Sequence, residues 1–114
     1  MTVRIKRVYE AAEAGDGYRI LVDRIWPRGL TKEAARVDEW LKEAGPSTQL
    51  RKWFGHVPER FEEFAARYRD ELRGSEALGR LRLATTEHDV VTLVYSAKDT
   101  VHNQAVVLRE ELTA

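Results

Sequence analysis

Two short polar tracts carry the residues best suited to chemistry. The first, Asp23-Arg24-Ile25-Trp26-Pro27-Arg28-Gly29, follows the apolar run Ile20-Leu21-Val22. The second, Ser96-Ala97-Lys98-Asp99, follows the run Val90 to Tyr95 and leads into His102 and Asn103. Guanidinium and ammonium groups suit phosphate, sulfate or carboxylate, and a guanidinium can hold two oxygens at once. Asp23, Asp99 and His102 have side chains able to orient a ligand or move a proton, so they are the candidate catalytic residues. Arg24, Trp26, Arg28, Lys98 and Asn103 are the candidate ligand-binding residues. Arg51 and His56 join them if the segment 50–57 folds over the same end of the molecule. The same charges also fit an internal ion-pair lattice in a noncatalytic interaction module, with Asp99 merely capping the next helix.

Other chemistry is narrower. The absence of cysteine removes disulfides, thiolate catalysis and Cys-ligated metal together. Ser96 is a nucleophile only if His102 or Lys98 touches it; a capping hydroxyl is its simpler use. A divalent metal would require His56, His102, Asp23 and Asp99 to gather in three dimensions, because their spacing matches no local ligand motif. The second tract lacks the glycine run of a phosphate-binding loop, and no cofactor is identified. It still has the form of an anion site, a strand leading through a polar turn to the free N–H groups of a helix. His102, expected in that helix's first turn, would have the positive end of the helix dipole against its protonated form.

The elements that must position these tracts are legible from pattern. Tyr18 to Ile25, after the turn signal Gly15-Asp16-Gly17, reads as a buried strand. Val90 to Tyr95 is β-branched and apolar on both alternating faces, as a central strand should be. Val3 to Tyr9 reads as a weaker strand near an edge, and Val37 to Leu41 as a short strand or a helical turn. Pro46-Ser47 starts a helix carrying Leu50, Trp53 and Phe54 inward. From Pro58, Phe61, Phe64, Ala65, Tyr68 and Leu72 recur at helical spacing, with Glu63–Arg67 and Arg67–Glu71 pairs on the other face and Gly74 as a stop. Ser75 caps a helix presenting Leu78 and Leu81. Asp99 or Thr100 is expected to cap a final helix burying Val101, Ala105, Leu108 and Leu112. The alternation predicts one α/β domain over residues 1–114, a small, mainly parallel sheet flanked by helices. In such sheets, ligands bind beyond the carboxyl ends of the strands, so parallel strands would bring both polar tracts to one rim.

Composition narrows the partners. The chain has 114 residues, 43% hydrophobic and 33% charged, with 19 basic residues balancing 19 acidic ones. A nucleic-acid-binding regulator is the weaker third reading: the balanced charge excludes a polycationic binder, and the acidic residues of the helix from 58 disfavour a helix-turn-helix use. No apolar run is long enough to cross a membrane, and the first ten residues lack the apolar centre of a signal peptide. A small anionic ligand, no membrane and a cytoplasmic address are the expectations.

The stretches GYRILVDRIWPRGLTKE, VDEWLKEAGPSTQLRKWFGH, FEEFAARYRDEL and VTLVYSAKDTVHNQAVVLREEL together resemble the DUF488 family, in its short YeaO-like branch. The resemblance spans residues 3–112 and implies an α/β fold with a mainly parallel sheet, in a small cytoplasmic protein; it implies no reaction. Carried over, the family signature falls on Asp23, Arg24, Trp26, Pro27, Arg28, Gly29, Lys32, Trp40 and Pro46. It continues on Ser47, Leu50, Arg51, Trp53, Phe54, His56, Tyr95, Lys98, Asp99, His102 and Asn103. Longer relatives resemble a Cys-His-Arg loop after the last strand, where this chain has Thr100-Val101-His102-Asn103. That departure counts against thiol- or phosphatase-like chemistry. Gly45, where relatives often have alanine, reads as a neutral exchange.

Overall fold

The computed structural model describes the whole chain, Met1–Ala114. Thr2–Arg7 forms β1, Tyr18–Leu21 β2, Glu39–Trp40 β3 and Val90–Tyr95 β4. They make one sheet in the order β1-β4-β2-β3, and every pairing is parallel. Parallel neighbours cannot be joined by tight hairpins, so helices or long loops separate each strand from the next. The predicted α/β fold is the one observed, with the sheet wholly rather than mainly parallel. The strand last in sequence, β4, lies between β1 and β2, which explains why it is apolar on both faces. Gly17 admits β2 to this position: its φ is 64°, and an added Cβ would collide with the Val90 carbonyl.

The two faces of the sheet are covered unequally. Side chains alternate along a strand, so Ile20, Val91, Leu93 and Tyr95 point one way and Leu21 and Val94 the other. The first set enters a core of 20 buried residues with α2 (Thr48–Phe54), α3 (Phe61–Leu72), α4 (Glu76–Glu87) and α5 (Gln104–Thr113). The second set joins Val8 and Ala35, the latter from the one-turn helix α1 (Lys32–Ala35), with the half-buried Trp26, Leu30 and Val37 packed against them. The helices therefore form a thick layer on one side, and loops cover most of the other.

Local chemistry explains the helix boundaries. The Ser47 and Ser75 hydroxyls accept the Leu50 and Leu78 N–H groups, each at 3.1 Å, and start α2 and α4. Pro58 opens a 3-10 turn, Pro58–Arg60, and α3 proper begins at Phe61. Of the two ion pairs expected on α3, Glu63–Arg67 forms. Glu71 instead accepts the Ser47 N–H and hydroxyl at 2.9 and 2.6 Å, while Arg67 lies over the Trp53 ring. The final helix begins later than its sequence suggests. Asn103, not Asp99 or Thr100, caps α5 by accepting the Val106 N–H, and Val101 is 62% exposed rather than buried. His102 thus lies ahead of the helix, outside its first turn, and the dipole argument does not apply to it.

Candidate functional site

The two polar tracts leave the sheet side by side. Leu21 and Val94 are paired in register, and the Val22 N–H still donates to the Val94 carbonyl at 3.1 Å. Just beyond, the Ser96 N–H donates to Asp23 Oδ2 at 3.0 Å. Helix α2 leans over this rim because Leu50 and Phe54 are anchored in the core, which leaves Arg51 on its outer side. Gly55 and His56 then take φ values of 52° and 58° and turn the chain back. A left-handed histidine is unusual, and here it brings the imidazole to the rim.

An inner cleft of about 130 Å³ lies between these segments, bordered by Asp23, Arg24, Arg51, His56, Ser96, His102 and Gln104, with Phe54 and Phe64 beneath. Asp23 is on the floor, 8% exposed. Its carboxylate accepts from the Ser96 N–H and from the Gln104 amide, and it forms no ion pair. Burial raises its pKa above the ordinary carboxylate value, outweighing the Ser96 and Gln104 hydrogen bonds and the charge of His56. Asp23 therefore does not belong to an ion-pair lattice. Neighbouring Arg24 points to the outside, its Nε donating to the carbonyls of Gly45 and Pro46. Gly45 permits that approach: an added Cβ would lie 3.0 Å from Arg24 Cγ and 3.2 Å from the Val22 carbonyl oxygen, so alanine there is a tight fit rather than a neutral exchange.

A wider outer groove, about 590 Å³, adjoins the cleft and shares Ile25, Arg51 and Ser96 with it. Its cations are Arg7, Arg28, Arg51 and Lys98, and no acidic residue lines it. Arg7 is fixed by donating to the carbonyls of Ala97 and Ser96 at 2.9 and 3.2 Å, and it lies over the Tyr9 ring. Trp26 forms a half-buried wall, its indole N–H on the Leu30 carbonyl and its ring edge-on to Trp40.

The second tract is more structural than its residue types suggest. Asp99 Oδ1 accepts the N–H groups of Val101 and His102, both at 2.9 Å, and Oδ2 lies 2.8 Å from His102 Nδ1. These hydrogen bonds, the His102 N–H foremost, lower its pKa to about 2. Two of the backbone N–H groups expected to face an anion there, those of Val101 and His102, are thus already taken. Asn103 also borders the inner cleft, its amide N–H donating to the Asp99 carbonyl and its amide oxygen capping α5. His102 reaches the inner cleft, held by Asp99 and edge-on to Phe61, whereas Lys98 faces the outer groove. Neither hydrogen-bonds Asp23 or Ser96, so the condition for a serine nucleophile is not met. No three His, Asp or Glu side chains gather to hold a metal ion. Sequence reasoning missed Gln104, whose neutral amide sends no signal, and Arg7 and Tyr9, which lie far back in the chain.

A parallel sheet with a polar rim at its carboxyl end defines a small α/β protein built to present loops at one edge. The chain belongs to the DUF488 family: the model described as the inactive DUF488-N3 subclade matches residues 2–114. It is 48% identical to the uncharacterised protein Rv3073c of Mycobacterium tuberculosis (strain H37Rv) over 110 residues, 96% of this chain and 92% of that one. It is 46% identical to the uncharacterised protein YeaO of Escherichia coli (strain K12) over 112 residues, 98% and 97% of the two chains. No solved structure matches it. No helix is long and apolar enough to cross a membrane.

Proposed function

We propose that the protein binds a small anionic, phosphorylated ligand at the carboxyl rim of its sheet, without turning it over. The observation that carries this reading is the outer groove, where Arg7, Arg28, Arg51 and Lys98 converge with no acidic residue among the lining side chains. None of the four forms an ion pair elsewhere. Unmatched cations around one concavity suit a multiply charged anion. Binding without turnover is supported by the cysteine-free 100–103 tract and by the inactive description of the matching subclade. Asp23 and His102 then orient the ligand, and Asp99 acts by holding His102. The cytoplasm is the setting of this reading.

Thermal unfolding with pyrophosphate tests it. A ligand at ten times its Kd adds about 1.4 kcal/mol to the native state. In a domain of this size that raises the melting temperature by about 6 °C. The shift should shrink with added salt and vanish in the double variant Arg28→Ala, Lys98→Ala. No shift in the wild type at about 10 mM pyrophosphate, far above a useful Kd, would end the proposal.

A further inference from the structure

We infer that the inner cleft reads the non-anionic head of that ligand, and that the ligand is a phosphate ester whose head carries hydroxyl or amino hydrogen-bond donors. This rests on the anion-site reading and adds to it. The two cavities are continuous through Ile25, Arg51 and Ser96, so one molecule can occupy both. Their charge differs with depth. Arg24, Arg51 and His56 are exposed at the mouth, whereas the floor presents the Asp23 carboxylate, 8% exposed. A phosphate is repelled by that carboxylate and is drawn to the outer groove, which has only cations. What enters the cleft must therefore be uncharged or cationic.

The floor also specifies hydrogen bonding. An ionised carboxylate offers about four lone-pair positions. Ser96 N–H and the Gln104 amide occupy one on each oxygen of Asp23, leaving acceptor capacity toward the cleft. Because Gln104 turns its Nε2 to Asp23, its Oε1 is a further acceptor without a partner in the fold. Both groups ask for donors. The volume, about 130 Å³, is close to that of an engineered cavity of roughly 150 Å³ that takes up benzene, so one ring or a short polyol fits.

Calorimetric titration of the full chain with inorganic phosphate, butyl phosphate and ribose 5-phosphate tests this. Ribose 5-phosphate should bind about tenfold more tightly than butyl phosphate, the effect of one or two added hydrogen bonds. Gln104→Leu, and separately Asp23→Asn, should cut that preference to about twofold or less, each variant being checked for native melting. Equal affinity for the two esters, or a preference for butyl phosphate, overturns the inference while leaving the anion site standing. Failure of all three probes overturns both. A preference that survives in both variants assigns the selectivity elsewhere and overturns the role of the cleft.

Discussion

Two charged regions of this molecule use the same residue types to opposite ends. On the thinly covered face of the sheet, Lys6 reaches Glu13 at 2.8 Å and Asp16 at 3.1 Å, and Arg19 reaches Asp16 at 2.6 Å. The Arg19 guanidinium also donates to the carbonyls of Ala35 and Arg36, so its donors are matched although only 4% of the residue is exposed. At the carboxyl rim, Arg28, Arg51 and Lys98 have no acidic partner, and Arg7 and Arg24 are steadied by backbone carbonyls, Arg7 also by the Tyr9 ring, with no carboxylate. The even totals of 19 basic and 19 acidic residues conceal this asymmetry. Charges that hold a fold are matched inside it, whereas charges that await a ligand are positioned by groups that do not neutralise them.

The sharpest way to break the comparison is to unmatch the sealed cluster. Asp16→Ala leaves Arg19 buried without its carboxylate and Lys6 with only an exposed partner. Removing one member of a buried pair costs about 3–5 kcal/mol. The whole stability of a domain this size is about 5–15 kcal/mol, so the variant should lose a large share of it. Urea denaturation measures the loss. A loss below about 1 kcal/mol would show that the cluster does not hold the thin face, and the contrast with the rim would fail.

The difference between the regions also explains what the sequence discloses. The apolar runs at 20–22 and 90–95 reveal β2 and β4, and the spacing from Phe61 to Leu72 reveals α3, because burial on a regular element leaves a period. The shared rim follows from parallel strands and a polar residue after each. The sealed cluster leaves no such trace: Lys6, Asp16 and Arg19 look like ordinary surface charges until β1 and β2 are placed on either side of β4. The start of α5 is misread because Asp99, Thr100 and Asn103 are all competent caps. Packing decides among them, since Asp99 is already closing the turn ahead of Val101 and His102. The two-residue β3 is set by its pairing with Ile20 and Leu21 rather than by any propensity of its own.

Acid titration separates the two buried aspartates by sign. Burial alone would raise the Asp16 pKa, but the Glu13 N–H, Lys6 and Arg19 together hold it below the ordinary value. A carboxyl depressed in the folded state adds stability above its unfolded pKa and loses it as pH falls through the folded value. Asp23 is raised by burial, so its relative stabilisation is present below the unfolded pKa and is lost as pH rises through the folded one. Asp16→Asn should therefore remove a rise in stability that begins below about pH 4, and Asp23→Asn a fall that begins near about pH 4 and runs upward. Urea midpoints taken across the acid range measure both. Changes of the same sign in the two variants would mean that the rim aspartate is held as the structural one is.

The smallest effect is the most telling for the rim. Arg28→Ala and Lys98→Ala, singly or together, should leave stability within about 0.5 kcal/mol, as expected for exposed charges that meet no partner. Arg7→Ala belongs to a different kind, because its guanidinium ties β1 to the carbonyls of Ser96 and Ala97; its removal should cost about 1 kcal/mol even though it lines the same groove. The same urea series reads all three. If the Arg28 and Lys98 variants fell as far as Arg7→Ala, their charges would be working in the fold, and the rim would become a second structural cluster with its partners simply more distant. If they stay flat while pyrophosphate binding disappears, cations unmatched within the chain are matched by something outside it.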